Sequence, residues 1–323
     1  MSSFFDNLYD EGKISESSIN RIRNGEMQKV LSVHWDLRTL LYIGVLLTTS
    51  GLGILVYKNI DSIGHAAIIA SLALISIAGY LYCWWKKVPF SWNRIKSPGS
   101  LFDYVLLLSC LCFVIFIGYW QYQYHIFGER YGLETFIPMI FLFFSAYYFD
   151  HLGILSLAIT NLAAWAGVVV TPTRILKEND FNNTTLIYTG LCLGILFVLM
   201  GKYSLMKKIK PHFAFTYTNF GLHIGFISLL AAMFHFDNSY MLWLLPLLGA
   251  GYLSYREAMR EHSFYYLLML TLYSYIGISY VFVTLLIRDL LDSGFYFLCL
   301  YFIGSATAMI LFLIRMNKKI KAA

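Results

Sequence analysis

Residues 37–56, LRTLLYIGVLLTTSGLGILV, and residues 66–85, AAIIASLALISIAGYLYCWW, are separated only by YKNIDSIGH at 57–65. Each flanking run is twenty residues long and carries at most one charge, at its margin. About twenty apolar residues in a helix cross a hydrocarbon layer roughly 30 Å thick, and only a helix or a closed barrel satisfies its own backbone there. The pair therefore reads as a helical hairpin that enters and leaves a membrane. Its polar middle reads as the turn, with Asn59 and Asp61 suited to turn formation and to capping the next helix.

The rest of the chain repeats this pattern. Hydrophobic residues make up 59% and charged residues 13% of the 323, against about a quarter charged in a soluble domain, and the mean hydropathy is +0.63. The fold class implied is all-α, a polytopic transmembrane helical bundle. Apolar runs predict ten spans, at about 39–57, 63–85, 101–120, 133–149, 152–170, 184–203, 212–235, 240–255, 264–287 and 294–314. Within 133–170 only Asp150 and His151 interrupt the apolar sequence, which leaves two full spans or two half-inserted segments open. The organisation expected is a helical head over 1–38, the bundle over 39–315 and a basic tail over 316–323. The head is too polar to hold a cleavable targeting core, so the first span is expected to direct insertion.

Charge placement predicts orientation. With the N-terminus in the cytoplasm, nineteen of the twenty-four lysines and arginines fall on inside segments, among them Lys86, Lys87, Arg94, Lys96, Lys207, Lys208 and Lys210. The outside segments keep Lys58, Arg130, Arg174, Lys177 and Arg288. This asymmetry favours both termini inside. It also accounts for the net charge of +6 without a nucleic-acid partner. Tyr and Trp crowd the span ends in YLYCWW (80–85), YWQYQYHIF (119–127) and SYMLW (239–243), where amphipathic rings settle at the lipid–water boundary. The lipid bilayer is thus the expected partner.

In the head, Ser15 is placed to cap a helix running to about Arg23, with Ile14 and Ile19 at the two positions of a hydrophobic staple. The head reads as a helical hairpin that packs on the bundle, or that binds a protein partner.

LYDEGKISESSINRIRNGE, followed by HWDLRTLLYIGVLLTTSGLGILVYKNIDSIGHAAIIASLALI, resembles the bacterial membrane-protein family catalogued as domain of unknown function 2157. Gly12 and Ile14, Gly51 and Gly53, and Asn59 stand at the family's motif positions; Ile60 departs from the aromatic residue that many members place after that Asn. The resemblance covers about residues 8–85. It implies a bacterial inner-membrane protein and no assigned activity.

Polar side chains at membrane depth are costly, which makes them the candidates for function. The clearest set is in the seventh span, where His212, Thr216, Asn219 and His223 recur at i, i+4, i+7 and i+11. That spacing puts them on one helical stripe climbing about 16 Å. Such a stripe, with Asn161 of the fifth span, could bind a small polar solute or relay protons; equally, it could tie helices together. Gly221 and Gly225 lie on another side of the same helix, and Gly190 and Gly194 repeat the spacing in the sixth span, so these four are candidates for close helix packing. Asp103 and Glu134 fall in the first turns of their helices, where capping is expected.

The chain carries no Walker loop, no His-Glu-x-x-His and no Gly-x-Ser-x-Gly. Its five cysteines lie in or beside apolar runs and read as fillers. No catalytic residue, metal or cofactor is therefore assigned. Pro138 and Pro246 have no counterparts that an inverted repeat of two five-helix halves would require. The sequence favours a non-enzymatic role, scaffolding or sensing, with a transporter or permease as the alternative.

Overall fold

The computed structural model describes residues 14–19, 34–58, 64–128, 132–170, 183–289 and 294–322. Its described residues form helices and the connections between them, with no strand. Ten long helices follow in order: α1 His34–Lys58, α2 His65–Lys86, α3 Ser100–Tyr124, α4 Leu133–Phe149, α5 Leu152–Val170, α6 Thr184–Lys207, α7 Phe213–His235, α8 Tyr240–Arg260, α9 Phe264–Asp289 and α10 Gly294–Ala322. Two compact units divide the chain, 1–58 and 59–323. In the first, a helical turn at 16–19 starts at Ser15, whose Oγ accepts from Ser18 N at 3.3 Å, and Ile19 is buried. The other parts of the head, and the turn residues Asn59 and Asp61, lie outside the described residues.

Among the described residues seven helices are long and apolar enough to cross a membrane: α2, α3, α5, α6, α7, residues 264–286 of α9 and residues 297–319 of α10. This is fewer than the ten spans expected from sequence. The apolar segment of α1, Thr39–Leu55, and α4 are shorter. The third, α8, ends in the charged YREAMR and is the least apolar of the ten. Residues 133–170 form two separate helices that meet at a two-residue turn, with Asp150 in the left-handed region at φ 60°.

Side-chain contacts in the second unit show that successive helices reverse. Ser76 on α2 donates to Ser109 O on α3 at 3.0 Å, while His65 bonds Tyr119 at 2.7 Å further along. Phe136 near the start of α4 meets Trp165 near the end of α5. Tyr275 and Ser279 on α9 bond Ser305 and Tyr301 on α10, again in opposite order. By contrast α7 and α9 run the same way, since Asn219 meets Tyr265 and Phe234 meets Tyr280. The turns after α2, α4, α6 and α8 therefore gather at one end of the unit.

The tightest crossing is between α6 and α7. A Cβ on Gly194 would lie 2.8 Å from Gly225 Cα, and one on Gly221 would lie 2.8 Å from Gly194 O. Gly190 faces the Ser228 hydroxyl, while the Cβ position of Gly225 itself meets open space. Small residues are what allow two backbones to approach this closely. Around this crossing, α7 supplies Phe226, Leu230 and Met233 to a core shared with Leu247 of α8 and Leu267 of α9. Outward the order inverts: Leu199, Ile195, Leu242 and Ile303 are exposed. An exposed apolar belt of this extent is the surface a lipid solvent requires.

Candidate functional site

At the end where the four turns gather, three connections meet on one carboxylate. Asp150, in the α4–α5 turn, has its side chain 2% exposed. Its Oδ1 accepts from His212 Nε2 at 2.7 Å and lies 3.0 Å from Lys210 Nζ. Its Oδ2 accepts from Ile95 N at 2.5 Å. The Lys210 side chain is fully buried, yet its ammonium is off the direction of a hydrogen bond, and His212 Nδ1 is likewise buried without a hydrogen-bond partner. The Lys210–Asp150 contact is thus an ion pair held by charge, with the Phe90 ring centroid 5.3 Å from the ammonium. Taking two charges out of water costs several kcal/mol each, so such a pair persists only where the geometry compensates both.

Local structure explains how the three connections reach each other. Asp150 can occupy φ 60° because Asp tolerates the left-handed region better than most side chains. Its own N–H caps α4 by donating to Ala146 O. Lys208 and Lys210 are left-handed too, at φ 54° and 47°, and they turn the chain so that Ser204 Oγ closes it by donating to Ile209 O at 2.6 Å. Lys210 N then donates to Trp92 O at 2.9 Å, which fastens the α2–α3 connection beneath. Beside this knot, His151 Nδ1 accepts from Ile154 N at 3.1 Å and starts α5. Its Nε2 lies 4.0 Å from Asp103 Oδ1, which accepts from Ser97 Oγ at 2.6 Å.

The stripe read on the seventh span is divided between two places. His212 is the N-cap residue of α7 and belongs to the Asp150 knot. Thr216 is buried. Asn219 and His223 turn to α9: Tyr265 Oη donates to Asn219 Oδ1 at 2.9 Å, His223 Nε2 meets Tyr265 Oη at 2.7 Å, and His223 Nδ1 meets Tyr273 Oη at 2.7 Å. The donors can be ordered. Tyr265 has one hydroxyl hydrogen and gives it to Asn219, so His223 Nε2–H donates to Tyr265 and Nδ1 accepts from Tyr273. Both ring nitrogens are occupied. The chain of bonds ends on a carboxamide oxygen, which has no proton to pass on. Asn161 is half-buried on α5, and among the described residues no hydrogen bond joins it to this group.

Of the two carboxylates read as caps, Glu134 reaches back to Gly132 N through both oxygens at 3.1 and 3.2 Å. Asp103 does not cap. The N-cap of α3 is Gly99 and has no side-chain bond; Asp103 is drawn instead to Ser97.

Next to the Asp150 knot a cavity of about 340 Å3 opens between the ends of α6, α7, α8 and α9, lined among others by His212, Thr218, Glu257, Glu261 and Tyr266. Arg260 pairs with both glutamates, at 3.2 Å to Glu261. Among the described residues no group of three or more His, Cys, Asp or Glu is placed to hold a metal ion.

Sequence reading missed the knot. Asp150 and Lys210 were legible only as a turn and as one more inside lysine. One signal existed: a lone carboxylate between two apolar runs, in a turn assigned to the same side as the basic loops. A buried charge there needs a cation, and the neighbouring connections supply several.

Residues 6–155 match the family model described as predicted membrane protein (DUF2157). The match extends well past the resemblance at 8–85 and takes in α1 to α4 with Asp150 and His151. The partners Lys210 and His212 lie beyond it, so the knot joins the matched residues to the rest of the chain. No curated protein and no solved structure matches the chain.

Proposed function

We propose that this chain is a DUF2157-like, ten-span bacterial inner-membrane protein with both termini in the cytoplasm, and that its role is non-enzymatic, scaffolding or sensing at the cytoplasmic face. The helical head over 1–38 is the proposed contact for a protein partner. The observation that carries the reading is the occupancy of the mid-span polar groups: Asn219 and His223 are held by Tyr265 and Tyr273, as in a tie between helices. Orientation follows from the basic residues, since the turns that gather around Asp150 are those rich in Lys and Arg.

The test is complementation of a deletion strain by wild type and by the double variant Asn219→Ala, His223→Ala. Full complementation by the double variant is the expected result, and loss of function with normal protein level would overturn the reading. Orientation is tested separately, by tags placed beside Lys87 and Lys208. Both should be unreachable from outside intact cells.

A second reading, a transporter or permease for a small polar solute or protons, has one observation in its favour. The cavity beside His212 extends from the bundle end to Thr218, more than one turn into α7. If the double variant fails to complement while remaining folded, this reading takes precedence.

A further inference from the structure

Between α2 and α3 the chain runs for thirteen residues without a helix, KVPFSWNRIKSPG at 87–99. Its composition suits neither water nor hydrocarbon. Val88, Phe90 and Trp92 are exposed, as is Trp85 just before them at 80%. Irregular backbone is not tolerated against lipid tails, because its N–H and C=O groups have no partners there. Exposed aromatic rings in that number are equally out of place in bulk water. The level that accommodates both is the headgroup layer.

The segment is also held in place. Trp92 O accepts from Lys210 N, and Ile95 N donates to the buried Asp150 carboxylate. Lys87 lies with its ammonium 3.6 Å from the Trp84 ring centroid and in contact with the Tyr148 hydroxyl, and the Trp84 and Tyr148 rings stack at 5.1 Å. With Lys87 so engaged, Lys86, Arg94 and Lys96 are left exposed around the rings. From Trp84 to Ser100 there is no acidic residue.

We propose that the 87–99 connection is an anionic-phospholipid site: its aromatic side chains sit in the headgroup layer, and Lys86, Arg94 and Lys96 bind the phosphates of acidic lipids there. The complementarity is of charge and of depth together. Cations near a membrane surface each favour anionic lipid by about fivefold, and Arg adds a two-pronged fit to phosphate. Rings fix the depth at which those cations stand. The inference rests on the proposed insertion of this end at a membrane surface, though not on which surface that is.

The test uses the full chain in nanodiscs of phosphatidylcholine mixed with phosphatidylglycerol in equal parts, with bromine carried on one lipid or the other. Both leaflets have the same composition, so the outcome is independent of orientation, which the cell-surface tags report. In wild type, brominated phosphatidylglycerol should quench tryptophan more than brominated phosphatidylcholine does, and Trp92→Phe should remove part of that difference. Lys86→Gln, Arg94→Gln and Lys96→Gln combined should abolish the preference, by about fivefold per cation removed. Lys318→Gln with Lys319→Gln, at the end of α10, should leave it intact. Equal quenching by the two lipids in wild type, or an undiminished preference in a triple variant of unchanged circular dichroism, overturns the proposal. So does quenching of Trp92 by aqueous iodide with none by either lipid, which would assign the segment to water or to a soluble partner.

Discussion

Asp150, with its side chain buried, and His223, half-buried on α7, are both polar groups held between elements, yet they are stabilised in different ways. Around Asp150 the partners come from two other connections, include a full charge and lie at an end of the bundle: the Lys210 ammonium at 3.0 Å, His212 at 2.7 Å and the Ile95 N–H. Around His223 the partners come from one neighbouring helix, are neutral and lie within the spans: Tyr265 and Tyr273, each at 2.7 Å. Removing one member of a buried ion pair strands a charge. Removing one member of a neutral tie strands only uncharged hydrogen-bonding groups. The two clusters should therefore differ severalfold in what a single substitution costs.

The largest effect is expected at Asp150→Asn, which leaves the fully buried Lys210 ammonium without its counter-charge. The loss should be about 3–5 kcal/mol, measured as a fall in the unfolding midpoint of the purified protein in detergent. The double variant Asp150→Asn, Lys210→Met should recover most of it, because no charge then remains to be stranded. If the single variant unfolds like wild type, the ammonium is reaching water and the pair is not buried in the working protein.

Next comes the α6–α7 crossing, which separates close packing from charge. Gly221→Ala places a methyl 2.8 Å from Gly194 O and Val198 N, so backbone has to move. A cost of about 1–3 kcal/mol is expected. Gly225→Ala is its internal control on the same helix, since the new Cβ would meet open space. Stability there should change by no more than about 0.5 kcal/mol. Equal losses at both sites would show that the two helices cross elsewhere.

These contrasts bear on how much was legible in the sequence. Helix type and order follow from solvent: every apolar run predicted as a span is a helix, because a chain in lipid has no other way to satisfy its backbone. The glycine pairs were legible as small-xxx-small spacings, but spacing could not say that the Cβ position of Gly225 is open while that of Gly221 is closed. That depends on where α6 crosses. The i, i+4, i+7, i+11 spacing placed His212 and His223 on one stripe, and the stripe is real as helical geometry. It fails as a functional unit because His212 is the cap rather than an interior residue, free to turn toward Asp150, sixty-two residues earlier in the chain. No local pattern encodes which distant turn a cap faces. Span count is legible only in part: among the described residues seven helices meet both length and apolarity, while the apolar parts of α1 and α4 are short and α8 ends in charge, features that a scan for apolar runs does not weigh.

The smallest effect, and the one that bears most directly on function, is at Tyr265→Phe. Tyr265 links Asn219 to His223, accepting from one and donating to the other, so its hydroxyl is the centre of the tie. Hydrogen bonds between membrane helices average about 0.6 kcal/mol each. Two such bonds put the expected loss near 1 kcal/mol, less than at Gly221 and far less than at Asp150. A structural tie predicts that this small loss of stability is the whole consequence, with complementation intact. A relay through His223 predicts the same small loss of stability but with function abolished, because phenylalanine has no oxygen to receive the Nε2 proton. Measuring the midpoint and the growth of the complemented strain on the same variant separates the two, and only the first pattern fits a bond chain that ends on Asn219.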